Sequence, residues 1–163
     1  DEQANEWENN TRREFGMWAE SVNCDITRTS NFYELQDLAF RSVLENGDSV
    51  CLLPMKAVPG FIYETRLQLI EADRLCNEGF KADTALMTSG IQRDEFGAPT
   101  SYSILNYHPG DMYITKAYKW ETIPAFGART GRRNVIHLFR RLRMGQSRGI
   151  PDLAPVIELL RQL

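Results

Sequence analysis

The side chains with reactive chemistry are few and scattered. His108 and His137 are the only histidines, and Cys24, Cys51 and Cys76 the only cysteines. A histidine can move protons or hold a metal near neutral pH, and a thiolate can act as a nucleophile. The spacing gives little support to either role. Neither histidine has a second His, Cys or carboxylate at the interval of a metal motif such as HExxH. His108 sits in the turn "NYHPGD" and His137 in the strand-like "NVIHLF", where a lone histidine is more often structural. The cysteines are odd in number and far apart, so they form neither a CxxC site nor a disulfide framework, and a reducing, intracellular setting is expected. A Cys–His pair can still meet in space. Glu71 and Asp73, two residues apart, share a strand face and read as a solvated or salt-bridged pair.

Arginine is the one residue type that clusters. From Thr122 to Pro151 there are seven arginines and no acid: Arg129, Arg132, Arg133, Arg140, Arg141, Arg143 and Arg148. Removing those seven from 19 bases leaves 12 against 22 acids, so a basic band sits on a body of charge -10. Such a band faces a polyanion or an acidic protein surface, unless it is simply a solvated loop. Phe126 and Phe139 lie among the arginines, which fits salt-dependent, sequence-independent contact with phosphates. No helix-turn-helix, zinc-finger or RNP pattern accompanies them. "GARTGRR" lacks the following helix that a phosphate loop requires, and no GxGxxG or GxxxxGK[ST] occurs.

The elements that must carry these residues follow from periodicity. Glu6 to Val22 predicts a helix with Trp7 and Trp18 on one packing face. Asn31 to Asn46 predicts a second, on the order of 24 Å long. Asn31 caps it, Glu34 completes a capping box, and Gly47 stops it. Then the period changes. "DSVCLLPM" reads as a buried strand, and "ETRLQLIEADRL" as a half-buried one with Leu67 and Leu69 opposed to Arg66 and Gln68. "GIQRDEFGAPTSYSILNY" reads as two strands about a turn, with "YKWETIPA" and "NVIHLF" as two more. In the last segment Asp152 is the expected N-cap, with Pro155 in the first turn. Val156, Ile157, Leu159, Leu160 and Leu163 give this short helix an apolar face, marginal alone, that is expected to pack on Leu35 and Leu38 of the second helix.

The order of helices, a block of short, mostly antiparallel strands, then a helix predicts an α+β fold. At 163 residues and 42% hydrophobic content the chain can bury one core or two small ones. No apolar run reaches the roughly 18 residues of a membrane span, and no signal segment, internal repeat or low-complexity tract is visible. The Asn9-Asn10-Thr11 glycosylation pattern is short enough to arise by chance.

Four blocks in this order, "CDITRTSNFYELQDLAFRSVLENGDSVCLLP", "LQLIEADRL", "GIQRDEFGAPTSYSIL" and "NVIHLFRRLRMGQSRGIPDLAPVIELL", resemble the lambda family of bacteriophage portal proteins, from about Trp18 to Leu163. The resemblance implies a structural subunit, with no catalytic residue, cofactor or metal. It implies a homo-oligomeric ring, typically a dodecamer, at the capsid vertex of the virion, assembled in the host cytoplasm. Its partners would be double-stranded DNA in the channel, terminase, and head-completion or tail-connector proteins, with no membrane. Residues 1–30 would be wing-like, 31–47 a first stem helix, 48–148 a clip-like β subdomain, and 149–163 the start of a second stem helix. The chain opens on Asp1 and stops inside an apolar helix, and is therefore read as a portal fragment. The arginine band would touch DNA or the next subunit. A stand-alone sequence-independent nucleic-acid-binding module and a hydrolase using Cys or His chemistry are the competing readings.

Overall fold

In a computed structural model of the chain, residues 2–112 and 117–162 are described. Helix α1 (Glu2–Ala19) leads through a 3₁₀ turn at Val22–Cys24 to α2 (Phe32–Asn46). Seven strands follow: β1 (Asp48–Leu52), β2 (Gln68–Ile70), β3 (Met87–Thr88), β4 (Ile91–Arg93), β5 (Pro99–Leu105), β6 (Trp120–Pro124) and β7 (Val135–Phe139). The short α3 (Ile157–Gln162) closes the chain. All pairings between these strands are antiparallel, in one sheet of order β2-β1-β7 and a second of order β3-β4-β5-β6. The fold is α+β, as the sequence predicts.

Three layers result, because β1 is buried at every position. Alternate side chains of a strand point to opposite faces, so β1 serves two cores. Val50 and Leu52 join Ile70, Val135, Ile91, Tyr102 and Ile104 between the two sheets. Cys51 points the other way, with Leu35 of α2, Cys24 and Leu67, and with Trp18, Phe32 and Ile136 packed around them. β7 is registered on β1 from Asp48 opposite Phe139 to Leu52 opposite Val135, and this fixes which of its residues face the inter-sheet core.

The start of α2 is built as its residues dictate. The Asn31 side chain accepts from the Tyr33 and Glu34 amides at 3.0 Å each, and Glu34 Oε2 accepts from Asn31 N–H at 2.8 Å. Gly47 ends the helix in the left-handed region at φ 90°. The β4–β5 turn forms as expected: Asp94 Oδ1 accepts from the Phe96 and Ala98 amides at 3.0 and 2.8 Å.

Several expectations are corrected. α1 begins and ends earlier than Glu6 to Val22. Trp18 packs at 5.4 Å from Phe32 and donates to Thr65 O at 2.9 Å, whereas Trp7 is 70% exposed. The shared face therefore becomes a packing stripe only where α1 meets the body. Arg66, expected on the outer face of an alternation, is buried, with Nε donating to Lys56 O at 3.0 Å and a further bond to Asn23 O, below the Phe61 ring. Asp152 is not an N-cap. It pairs with Arg140 at 3.5 Å, and a 3₁₀ turn at Ala154–Val156 precedes α3. Of the five residues expected to pack the last helix on α2, four are described. Leu35 is buried, but against the three-stranded sheet, while Leu38 is 53%, Val156 37% and Ile157 60% exposed. The three-stranded sheet occupies the Leu35 side of α2, and among the described residues the chain leading into α3 touches that helix through Leu153 N–H to Leu44 O at 3.3 Å. The side chain of Leu160 lies outside the described residues.

Candidate functional site

The β6–β7 connection and the segment after β7 present the arginines. The β6–β7 loop is tied by a Phe126–Arg133 bridge, by Gly127 N–H to Arg132 O at 2.8 Å, and by Gly131 N–H to Gly127 O at 2.8 Å. Gly131 adopts φ 64°, a left-handed conformation that favours glycine. The loop is thereby a defined hairpin tip. Arg129, Arg132 and Arg133 are exposed on it, Arg132 against Met55 Sδ at 2.9 Å and Arg133 over the Phe126 ring at 5.1 Å.

After β7, Arg140, Arg141 and Arg143 are also exposed. The turn that follows is organised by Gln146, a buried residue the sequence reading missed. Its Oε1 accepts from the Leu142 and Arg143 amides at 2.8 and 3.3 Å, and its Nε2 donates to Arg148 O at 2.7 Å. "RMGQSRG" holds a turn glycine, which was the available signal; the inward glutamine had none.

Arg148 has a different fate from the other six. Its guanidinium meets the Asp48 carboxylate through both Nε and Nη2, the latter at 3.2 Å, and donates to the carbonyls of Leu75, Ser89 and Ala72 at 2.7, 3.0 and 2.9 Å. It therefore leaves the surface band and becomes an internal tie between β1 and the 72–89 segment. His137 adds Nε2 to Asp48 Oδ2 at 3.1 Å. Burial pushes the Asp48 carboxyl up, but the hydrogen bonds from His137 and Arg148 outweigh it and hold the group below its ordinary range.

Beside this cluster lies a cleft of about 630 Å³ between the β4–β5 hairpin and the chain after β7. Arg93, Arg133 and Arg141 line it together with Phe96, Phe139 and Met144, and no carboxylate is among its lining residues. Arg93 donates to Thr88 Oγ1 at 2.9 Å and Gly145 O at 3.3 Å, while its buried Nε has no partner among the described residues. An arginine-rich wall with aromatic and thioether surface suits an anionic partner that also carries apolar groups.

His137 also lines the cleft, with Asp48 behind it, which is the neighbourhood the hydrolase reading required. The chemistry does not follow. Asp48 is engaged by Arg148, and Cys51 points into the helix-side core, where burial pushes its thiol up to about 11. Cys24 is buried in that same core, and burial raises its thiol too. Cys76 accepts from Trp120 Nε1 at 3.4 Å. His108 bonds Asp73 at 3.1 Å on the surface. Among the described residues no group of three or more His, Cys, Asp or Glu could hold a metal, and no helix is long and apolar enough to cross a membrane.

The outward features of this layered α+β scaffold are thus a cationic rim and an arginine–aromatic cleft. The family model described as "Phage portal protein, lambda family" matches residues 1–163. The chain belongs to that family, and its role is structural, in the ring oligomer that forms the portal at the capsid vertex of the phage particle.

Proposed function

We propose that the chain is part of a portal subunit whose ring, a dodecamer, forms the channel through which double-stranded DNA is packaged and ejected. The same ring docks terminase during packaging and head-completion or tail-connector proteins afterwards. The observation that carries this reading is the family match along residues 1–163. In this reading residues 1–30 belong to the wing, 31–47 to a first stem helix, 48–148 to a clip-like unit, and 149–163 to the start of a second stem helix. The exposed Leu38, Val156 and Ile157 then gain cover from the rest of the assembly.

The exposed arginines Arg129, Arg132, Arg133, Arg140, Arg141 and Arg143 meet the next subunit or DNA phosphates. The acidic balance of the rest of the chain favours the subunit. The test is the double variant Arg132→Ala with Arg133→Ala in the full-length portal. Reduced ring formation by native mass spectrometry, or reduced DNA packaging with intact rings, is the expected result. Unchanged assembly together with unchanged packaging overturns the assignment of these arginines. Salt-dependent duplex binding by a protein that never forms rings would replace the portal reading with the nucleic-acid-binding module.

A further inference from the structure

Two surfaces lack partners among the described residues, and their chemistries match. The first is the outer part of α1. Every residue from 2 to 13 is exposed; Glu14 accepts from the Tyr63 hydroxyl, and Trp7, Asn10 and Thr11 border an open hollow beside Tyr63 and Thr65. A free helical stretch of about 12 residues is marginal in water, so this arm is stabilised by whatever covers it. Before Arg12 it carries Glu2, Glu6 and Glu8 and no base, with Trp7 70% exposed among them. The second surface is the cleft, where Arg93, Arg133 and Arg141 surround apolar contacts from Phe96, 88% exposed, and Met144, 98% exposed.

We propose that the cleft of one copy receives the Trp7 side of α1 from a neighbouring copy. This names the segment that the arginines meet, and it rests on the ring-forming portal reading. An indole buries about 150–250 Å² and is the best ring for cation–π contact with arginine. The Trp7 side chain enters between Arg133 and Arg141 and displaces water from Phe139 and Met144. Glu2 and Glu6, one helical turn apart, meet the guanidinium groups at the cleft rim. The charges are of opposite sign where the surfaces meet: Glu2 and Glu6 on the arm, Glu8 being paired with Arg12 at 2.8 Å, and three arginines without a carboxylate in the cleft. Arm and cleft are different surfaces of one chain, so the contact is head-to-tail, the type that closes rings.

The experiment uses the full-length portal carrying Cys76→Ser, Ala4→Cys and Met144→Cys, treated with a short bis-maleimide cross-linker. The expected result is a ladder of covalent oligomers in denaturing gels, absent when either new cysteine is introduced alone. Rings seen by native mass spectrometry without a ladder overturn this inference and leave the portal reading standing. Failure to form any ring overturns both. If duplex DNA protects Met144→Cys from maleimide and no ladder forms, the cleft belongs to nucleic acid and the inference fails. A second arm needs no cross-linker. Glu2→Arg with Glu6→Arg is expected to weaken subunit association by about tenfold or more, and Arg133→Glu with Arg141→Glu in the same chain is expected to restore it. Absence of rescue, with both proteins folded, argues against the pairing.

Discussion

Arg148 meets Asp48 across one hundred residues of sequence, and the same guanidinium caps three backbone carbonyls. Asp48 opens β1 with its side chain 1% exposed, and Arg148 follows β7 with its side chain 23% exposed. A charge as buried as Asp48 is tolerable only while its partners remain. Arg148→Ala is therefore expected to destabilise the fold by about 3–5 kcal/mol, because it leaves the buried carboxylate without its guanidinium and strands three carbonyls. Arg148→Lys is expected to recover only part of the loss, since an ammonium cannot make the two-pronged contact. Urea denaturation of the three proteins measures both, and full rescue by lysine would show that charge alone suffices.

The same pair sets an acid limit. Asp48 titrates below its ordinary value in the folded chain because the bonds from His137 and Arg148 outweigh its burial. A depressed folded pKa gives stability that is complete above the unfolded value, about 3.9, and is lost as pH falls through the folded one. Asp25 behaves alike: burial raises it, but hydrogen bonds from Thr27 and Thr29 lower it further. Stability is expected to be insensitive to these two groups at neutral pH and to fall below about pH 4. Asp48→Asn should lower stability at pH 7 and flatten the acid limb. An acid limb as steep as that of the parent would mean that other carboxylates carry it.

What was legible in the sequence was what is local. The Asn31–Glu34 box, the Gly47 stop and the turn at Asp94 each involve residues a few positions apart, so their chemistry can be read directly. β1 was legible as a short apolar run because it is buried on both faces. Arg148 was not, since nothing near it announces a carboxylate on another strand; six of the seven banded arginines are exposed and one is an internal tie. Arg66 was read as an outward residue because alternation reports only the period, and its partners are carbonyls at positions 23 and 56. β3, two residues long, carries too little pattern to be seen. The cleft is assembled from three separate segments, so of its three arginines Arg133 and Arg141 were anticipated and Arg93 was not.

Gly47 and Gly149 form a backbone crossing that no side chain can enter. A Cβ on Gly47 would stand 2.7 Å from the Gly149 carbonyl carbon and 2.7 Å from that of Ile150, and one on Gly149 would overlap the Gly47 carbonyl. Gly47 also needs its left-handed φ. Gly47→Ala is expected to cost more than about 2 kcal/mol, above the typical surface substitution. Gly97→Ala serves as the control: it shares a positive φ but has open space around it, so it should cost about 1 kcal/mol. Thermal melts of the two variants decide. Equal losses would mean that conformation alone, and not the close approach, is responsible.

The division between Arg148 and the exposed arginines predicts a separation of stability from assembly. Arg140 bonds Asp152 at 3.5 Å with both side chains substantially exposed, a contact screened by water and of little consequence for folding. Arg129 and Arg143 are exposed as well. The triple variant Arg129→Ala, Arg140→Ala and Arg143→Ala is therefore expected to melt within a few degrees of the parent, because each surface change stays within about 0.5 kcal/mol. If these side chains face an anionic partner, the same protein should assemble or hold DNA less well. The defect should also shrink as salt rises, since exposed charge pairs separated by more than about 8 Å are already screened at physiological ionic strength. Arg148→Ala should show the reverse pattern, with a large loss of stability and an assembly defect that salt does not relieve. Melting temperature against ring yield, measured across a salt series for both variants, separates the two roles. A triple variant that unfolds early would move these arginines from the surface into the fold.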